Sequence, residues 1–128
     1  MHEIKVVGAV IVNEQGEILC AKRSRTMAMP GKWEFPGGKV ENNENEQDAL
    51  IREMKEELQC EIEVKDKIAE TLHKYAEFTI LLVTFHAKII SGTPVKKEHE
   101  ELRWCKVEEL KELDWAEADI PTVKLLLM

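Results

Sequence analysis

Residues 46–58 carry Ala49, Leu50, Ile51, Met54 and Leu58 at helical spacing, with Glu53, Glu56 and Glu57 at positions i, i+3 and i+4 of the same segment. A period of 3.6 gathers the apolar set into one stripe and the three carboxylates onto another face. Such a helix must lay its stripe on a sheet. The chain offers strands for one: residues 78–90 are its strongest run of β-formers, and residues 6–12, 18–23, 62–69 and 102–107 add shorter ones. Residues 6–12 and 18–23 flank an Asn13-Glu14-Gln15-Gly16 turn and read as a hairpin. Residues 33–35 form a short extended piece stopped by Pro36-Gly37-Gly38. A short helix is expected over 107–113 and a final one over 116–128, with Pro121 in its first turn. Strands mixed with helices without strict alternation point to an α/β (α+β) fold, a sheet between helices.

Composition narrows the function. A length of 128 residues suits one domain spanning 1–128. With 18 basic and 25 acidic residues the net charge is −7, which argues against a stable nucleic-acid complex. Cys20, Cys60 and Cys105 are odd in number and have no metal-ligand spacing, as expected of a reduced, cytoplasmic protein. No secretory signal pattern opens the chain, and its apolar runs are too short to cross a bilayer. The four histidines show no ligand spacing.

Three carboxylates on one helix face repel by a few tenths of a kcal/mol per pair. That is the arrangement of an ordinary solvated face, or of a site for a hard cation such as Mg2+ or Mn2+. Arg52 is placed to hold Glu56 at i+4. The surrounding residues favour the cation. Gly38, Glu44, Arg52-Glu53 and Glu56-Glu57 follow the pattern G-x5-E-x7-R-E-U-x-E-E-x-G-U, in which U is a bulky apolar residue. This is the Nudix box. Gln59 replaces its last glycine and Cys60 fills its last apolar slot. If position 59 is left-handed, Gln is strained there.

Over essentially its whole length the sequence resembles the MutT-like Nudix hydrolases, in the branch acting on cytidine triphosphates and 8-oxo-dGTP. Residues 32–39, Arg103-Trp104-Cys105 and Ala118-Asp119-Ile120-Pro121 carry the likeness outside the box. The resemblance implies the Nudix fold, a mixed β-sheet sandwiched between helices. It implies Mg2+- or Mn2+-dependent hydrolysis of a nucleoside triphosphate to the monophosphate and pyrophosphate, a role in cleaning the nucleotide pool. It implies metal ligation by Glu53, Glu56, Glu57 and Glu98, with a backbone carbonyl of Gly37 or Gly38. Glu53 is the first candidate for general base and Glu98 the second. Arg52 would orient Glu53, and Glu44 would cap or brace the helix start.

For the substrate, a small nucleotide, the resemblance implies Arg23, Phe35, Gly37, Gly38, Lys39, Tyr75 and Asp119. Lys22 should face the opposite side from Arg23. Plainer readings stand beside these: Glu98 as a loop charge, Lys39 as a surface lysine, Phe35 as core, Asp119 as a helix-start carboxylate. An ionised Asp119 would accept from the cytosine amino group or the N7–H of oxidised guanine, and would repel a uracil carbonyl. Two other functions remain open. One is hydrolysis of another diphosphate, such as ADP-ribose or a dinucleotide polyphosphate. The other is a non-catalytic nucleotide sensor, which the intact box glutamates disfavour. The sequence leaves the oligomeric state unknown.

Overall fold

The computed structural model describes residues 3–128. The elements are β1 (Glu3–Ile11), β2 (Ile18–Lys22), β3 (Trp33–Glu34), β4 (Gly37–Lys39), α1 (Glu46–Leu58), β5 (Glu61–Lys74), β6 (Thr79–Ser91), β7 (Glu101–Cys105) and α2 (Ile120–Leu126). Two 3-10 helices, Val107–Glu112 and Glu117–Asp119, precede α2. One sheet runs β4-β1-β6-β5 and the other β3-β2-β7. In the first, β1 lies parallel to β6, from Glu3 opposite Thr79 to Ile11 opposite Ala87, and antiparallel to β4.

Side-chain alternation splits the core in two. Val7, Ala9 and Ile11 of β1 face α1, with Leu19, Val83 and Phe85. Val10 and Ile18 face the other way, packing with Trp33, Phe35, Cys105, Leu110, Trp115 and Val123. Ala49, Leu50, Met54 and Leu58 of α1 are fully buried. Each large side chain so buried contributes about 1.5–3 kcal/mol. On the other side a buried hydrogen bond of 2.9 Å joins Thr84 on β6 to Thr122 on α2. The sheets thus lie between α1 and the C-terminal helices. No helix among the described residues is long and apolar enough to cross a membrane.

Several expectations are corrected. Residues 6–12 and 18–23 are not a hairpin: β1 and β2 belong to different sheets, joined there only by a Val12–Ile18 bridge. Their edges find longer partners, β6 for β1 and β7 for β2. The glycines after Pro36 do not end the extended stretch but start a new strand, β4, on the edge of β1. The strand expected over 62–69 begins at Glu61 and runs on to Lys74, with three register shifts against β6 before Ala69. The final helix begins only at Ile120, with a 3-10 turn before it.

Asn45, not Glu44, caps α1: its side chain accepts from the Asp48 N–H at 2.7 Å. At the other end Gln59 has φ 59°, and its N–H closes the helix on Lys55 and Met54. The residue in the glycine slot is therefore left-handed, as the box pattern requires.

Candidate active site

The close approach of β1, β4 and α1 fixes the two glycines of β4. A Cβ on Gly37 would lie 1.8 Å from the Val7 carbonyl oxygen, and one on Gly38 would lie 2.1 Å from the Glu53 carboxyl carbon. No side chain fits at position 37, where backbone stands in the way, and one at position 38 would displace the Glu53 carboxylate. Glu53 is thereby pressed against the β4 backbone.

Arg52 organises the acidic groups around it. Its Nε and Nη2 donate to Glu44 at 2.8 and 3.0 Å, and its Nη1 donates to Glu53 and Glu56, both at 3.0 Å. Nη2 also donates to the Lys39 carbonyl at 2.9 Å. Glu44 therefore braces the helix through Arg52, which holds its carboxyl below the ordinary value. Glu53 is pushed up instead, because burial outweighs Arg52. Glu57 is also pushed up, first by burial and then by the charges of Glu98 and Glu53. Among the described residues no three His, Cys, Asp or Glu side chains close into a ready cage for a cation. The carboxylates are strung along a groove lined by Gly37, Gly38, Lys39, Arg52, Glu53, Glu56 and Glu57. Oxygen donors whose charge is under-compensated suit a hard divalent cation.

A cavity of about 490 Å³ adjoins this groove and shares Gly37, Gly38, Lys39 and Glu57 with it. Arg23, Phe35, Tyr75, Glu98 and Asp119 also line it. Of the residues singled out from the sequence, Arg52, Glu53 and Glu56 lie in the groove alone. Lys22 is outside both and pairs with Glu100 at 3.4 Å. A second cavity, also about 490 Å³, lined by Ile11, His86, Lys88 and Trp104, gathers none of them.

Phe35 is 3% exposed, packs on Trp115 at 4.7 Å between ring centroids, and still lines the cavity, so it is core and wall at once. Its N–H donates to Asp119 Oδ1 at 3.2 Å. Asp119 makes no capping bond to α2, so it is not a helix-start cap. Burial, then Glu34, push its carboxyl well above the ordinary range, against the Phe35 N–H and Arg23. Asp119 is therefore harder to ionise than an ordinary aspartate, and an accept-only, permanently ionised group is too simple a picture. Tyr75 accepts from the Ala118 N–H at 3.2 Å and contacts the Phe78 ring.

Sequence reasoning missed several cavity residues. Ile4, Val6, Ile80 and Leu82 form an apolar floor, with Ile4 opposite Ile80 and Val6 opposite Leu82. Their signal was present as alternation in β1 and β6, but which side stays uncovered depends on α2. Glu34 and His99 were missed too. Nothing local marks them; they meet across 65 residues at 2.8 Å.

A family model described as NUDIX domain matches residues 2–126. The chain belongs to the NUDIX domain family. Among Nudix relatives, the CTP pyrophosphohydrolase of Escherichia coli is 38% identical over 127 residues, covering 99% of this chain and 93% of that protein. A putative 8-oxo-dGTP diphosphatase 2 of Mycobacterium tuberculosis is 34% identical over 122 residues, covering 93% and 84%. The solution NMR structure of a MutT protein of the Nudix hydrolase family from methicillin-resistant Staphylococcus aureus matches with a TM-score of 0.80 and 45% identity, covering 99% of this chain and 98% of that one. The Nudix fold and the mixed sheet between helices expected from the sequence are thus shown.

Proposed function

We propose that this chain hydrolyses a nucleoside triphosphate to the monophosphate and pyrophosphate, with CTP, dCTP or an oxidised nucleotide such as 8-oxo-dGTP as substrate and Mg2+ or Mn2+ as cofactor. One observation carries the reading. The apolar cavity and the carboxylate groove lie side by side, with Gly37, Gly38, Lys39 and Glu57 lining both. A base and a phosphate chain can occupy both at once. The activities for which the Escherichia coli and Mycobacterium relatives are named support the substrate class.

Glu53, Glu56, Glu57 and Glu98, with a carbonyl of Gly37 or Gly38, would hold the divalent cation. When bound, it neutralises phosphate charge and lowers the pKa of a water. Glu53 takes the proton of the attacking water, its half-buried carboxylate aimed by Arg52; Glu98 is the second candidate. Lys39 neutralises a phosphate oxygen, and Arg23 holds the nucleotide at the cavity mouth. Phe35 and Tyr75 wall the base, and Asp119 reads its edge. We also read residues 1–128 as one domain and place the protein in the cytoplasm with its substrate pool; its three cysteines are unpaired and buried.

The test is a substrate panel: CTP, dCTP, 8-oxo-dGTP, UTP, dTTP, ADP-ribose and a dinucleotide polyphosphate, each with Mg2+ and with Mn2+, scored by kcat/KM. The first three should lead. A lead for ADP-ribose or the dinucleotide would replace the substrate class. Tight binding without turnover of any compound would make the chain a sensor.

A further inference from the structure

Resting on that reading, we infer that His99 is a positioning residue, which ties the loop carrying Glu98 to the base end of the cavity through Glu34. The segment 91–100 is exposed almost throughout, and His99 is the one buried residue among its described members. The backbone of this segment is anchored at two points: the Val95 N–H donates to Leu58 at 3.0 Å and the Glu100 N–H to Lys22 at 2.8 Å. Between those anchors Lys96, Lys97 and Glu98 are exposed, and the His99 ring turns inward. Its side chain is 3% exposed, and Nε2 lies 2.8 Å from Glu34 Oε2. The other oxygen of Glu34 accepts from Arg23 Nη1 at 2.6 Å. Glu34 thus has one oxygen on the acidic loop and one on the arginine that lines the cavity.

Two further observations give this link a function beyond packing. Glu34 directly precedes Phe35, whose N–H holds Asp119, so one dipeptide of β3 and its extension touches both the loop and the base-reading carboxyl. His99 Nδ1 is buried without a hydrogen-bond partner. Buried polar atoms are as a rule hydrogen-bonded, so an orphan nitrogen on a ring that lines the cavity calls for a role beyond filling space. Fixing His99 fixes its chain neighbour Glu98, which lines the cavity together with Glu57. A nucleotide that engages Arg23 therefore pulls on the same Glu34 carboxylate that holds the Glu98 loop. Correct occupancy of the base end and correct placement of the acidic loop become one event, and a poor base is penalised in turnover as well as in binding.

The experiment compares the unmodified protein with His99→Gln, His99→Ala, Glu98→Gln and His99→Ala combined with Glu98→Gln. Kinetics use the preferred triphosphate and UTP, and Mn2+ binding to the nucleotide-free protein is followed by electron paramagnetic resonance. Gln keeps a donor for Glu34; Ala does not. His99→Ala should lower kcat about tenfold or more with KM within about threefold, and His99→Gln should recover most of the loss. The double variant should be no slower than Glu98→Gln alone, the non-additivity of residues acting through one another. Mn2+ affinity should weaken in His99→Ala and be restored in His99→Gln. Multiplying losses in the double variant, a change in KM alone, or unchanged Mn2+ affinity would overturn the inference. Should His99→Ala not fold, Glu34→Ala cuts the link from the other side and must show the same dependence on Glu98. Absence of triphosphate hydrolysis by the unmodified protein would sink the functional reading instead, which separates the two failures.

Discussion

The groove and the cavity share four residues and are built on opposite physical terms. In the cavity the polar groups are largely matched: Asp119 with the Phe35 N–H, Tyr75 with the Ala118 N–H, Glu34 with Arg23 and His99. Apolar side chains fill the remainder. At the groove one guanidinium serves Glu44, Glu53 and Glu56, while Glu57 stands at the border with the cavity, where Glu98 adds a further carboxylate. Complementarity is largely provided where a base is to be recognised, His99 Nδ1 excepted. It is withheld where a cation is to be drawn in.

The sharpest way to break this contrast is to remove charge from the groove. Glu53→Gln and Glu57→Gln should each slow hydrolysis by about 10²–10⁴-fold, the range typical of a lost proton-transfer group. Metal-free melting temperature should hold or rise, because a self-repelling cluster loses a charge. Steady-state kinetics and a melt check both. Near-normal turnover in either variant would mean that the groove is only a solvated face.

Removing the one compensating cation should act in the opposite sense on stability. Arg52→Ala leaves three carboxylates without their partner, and a cost of about 1–3 kcal/mol is expected in metal-free protein. Added Mg2+ should return part of it. Denaturant melts with and without Mg2+ decide the matter; an equal loss in both would show that Arg52 is merely packed.

Within the cavity, Asp119→Asn should raise KM for the preferred substrate and narrow its lead over UTP about tenfold. An unchanged ratio would place base reading elsewhere. Stability gives a second readout. The Asp119 carboxyl sits well above its ordinary value in the folded chain, where it faces Glu34, Arg23, the Phe35 N–H and the Tyr75 ring hydroxyl. The folded state binds that proton more tightly than the unfolded one. Stability from Asp119 is therefore full below about pH 4 and is lost as pH rises through the raised value. Asp119→Asn should accordingly melt higher than the unmodified protein at neutral pH, with the advantage vanishing in acid. The UTP disadvantage should shrink as pH falls, because a neutral Asp119 can donate to a carbonyl.

The smallest effect lies at the end of α1, outside both depressions. Gln59 has φ 59°, so Gln59→Gly relieves about 1–2 kcal/mol of strain against the entropy that glycine adds to the unfolded chain. A net gain of about 0.5–1 kcal/mol should appear in denaturant melts, with unchanged kinetics. A fall in stability would show that the Gln side chain packs usefully.

The sequence made the groove legible and left much of the cavity obscure, for a reason visible in the residues. Gly38, Glu44, Arg52, Glu53, Glu56 and Glu57 lie within one continuous stretch, and helical spacing alone brings the glutamates together. The bounds of α1 follow from its stripe and agree with the structure. Glu34 and His99 meet only because β3 and the loop before β7 both join β2. The hairpin expected between residues 6–12 and 18–23 failed for the same cause: local turn chemistry was right, but the strand partners were distant. Asp119 was placed in the cavity by likeness, while the Phe35 N–H that holds it was not foreseeable from spacing.

The hydrogen bond between Phe35 and Asp119 closes a loop of 84 residues. Every element lining the groove, by contrast, lies between residues 37 and 57. Closing long loops is slow, because their entropy must be lost before the contact returns anything. The two halves of this site therefore form at different times. A chain still emerging from the ribosome can fold α1 against β4 long before α2 has been made. During that interval Glu53, Glu56 and Glu57 can take their places on α1 while the wall that tells one base from another has not been made. Selectivity is the last property this molecule acquires on folding, because Asp119 is among the last residues of the site to be made.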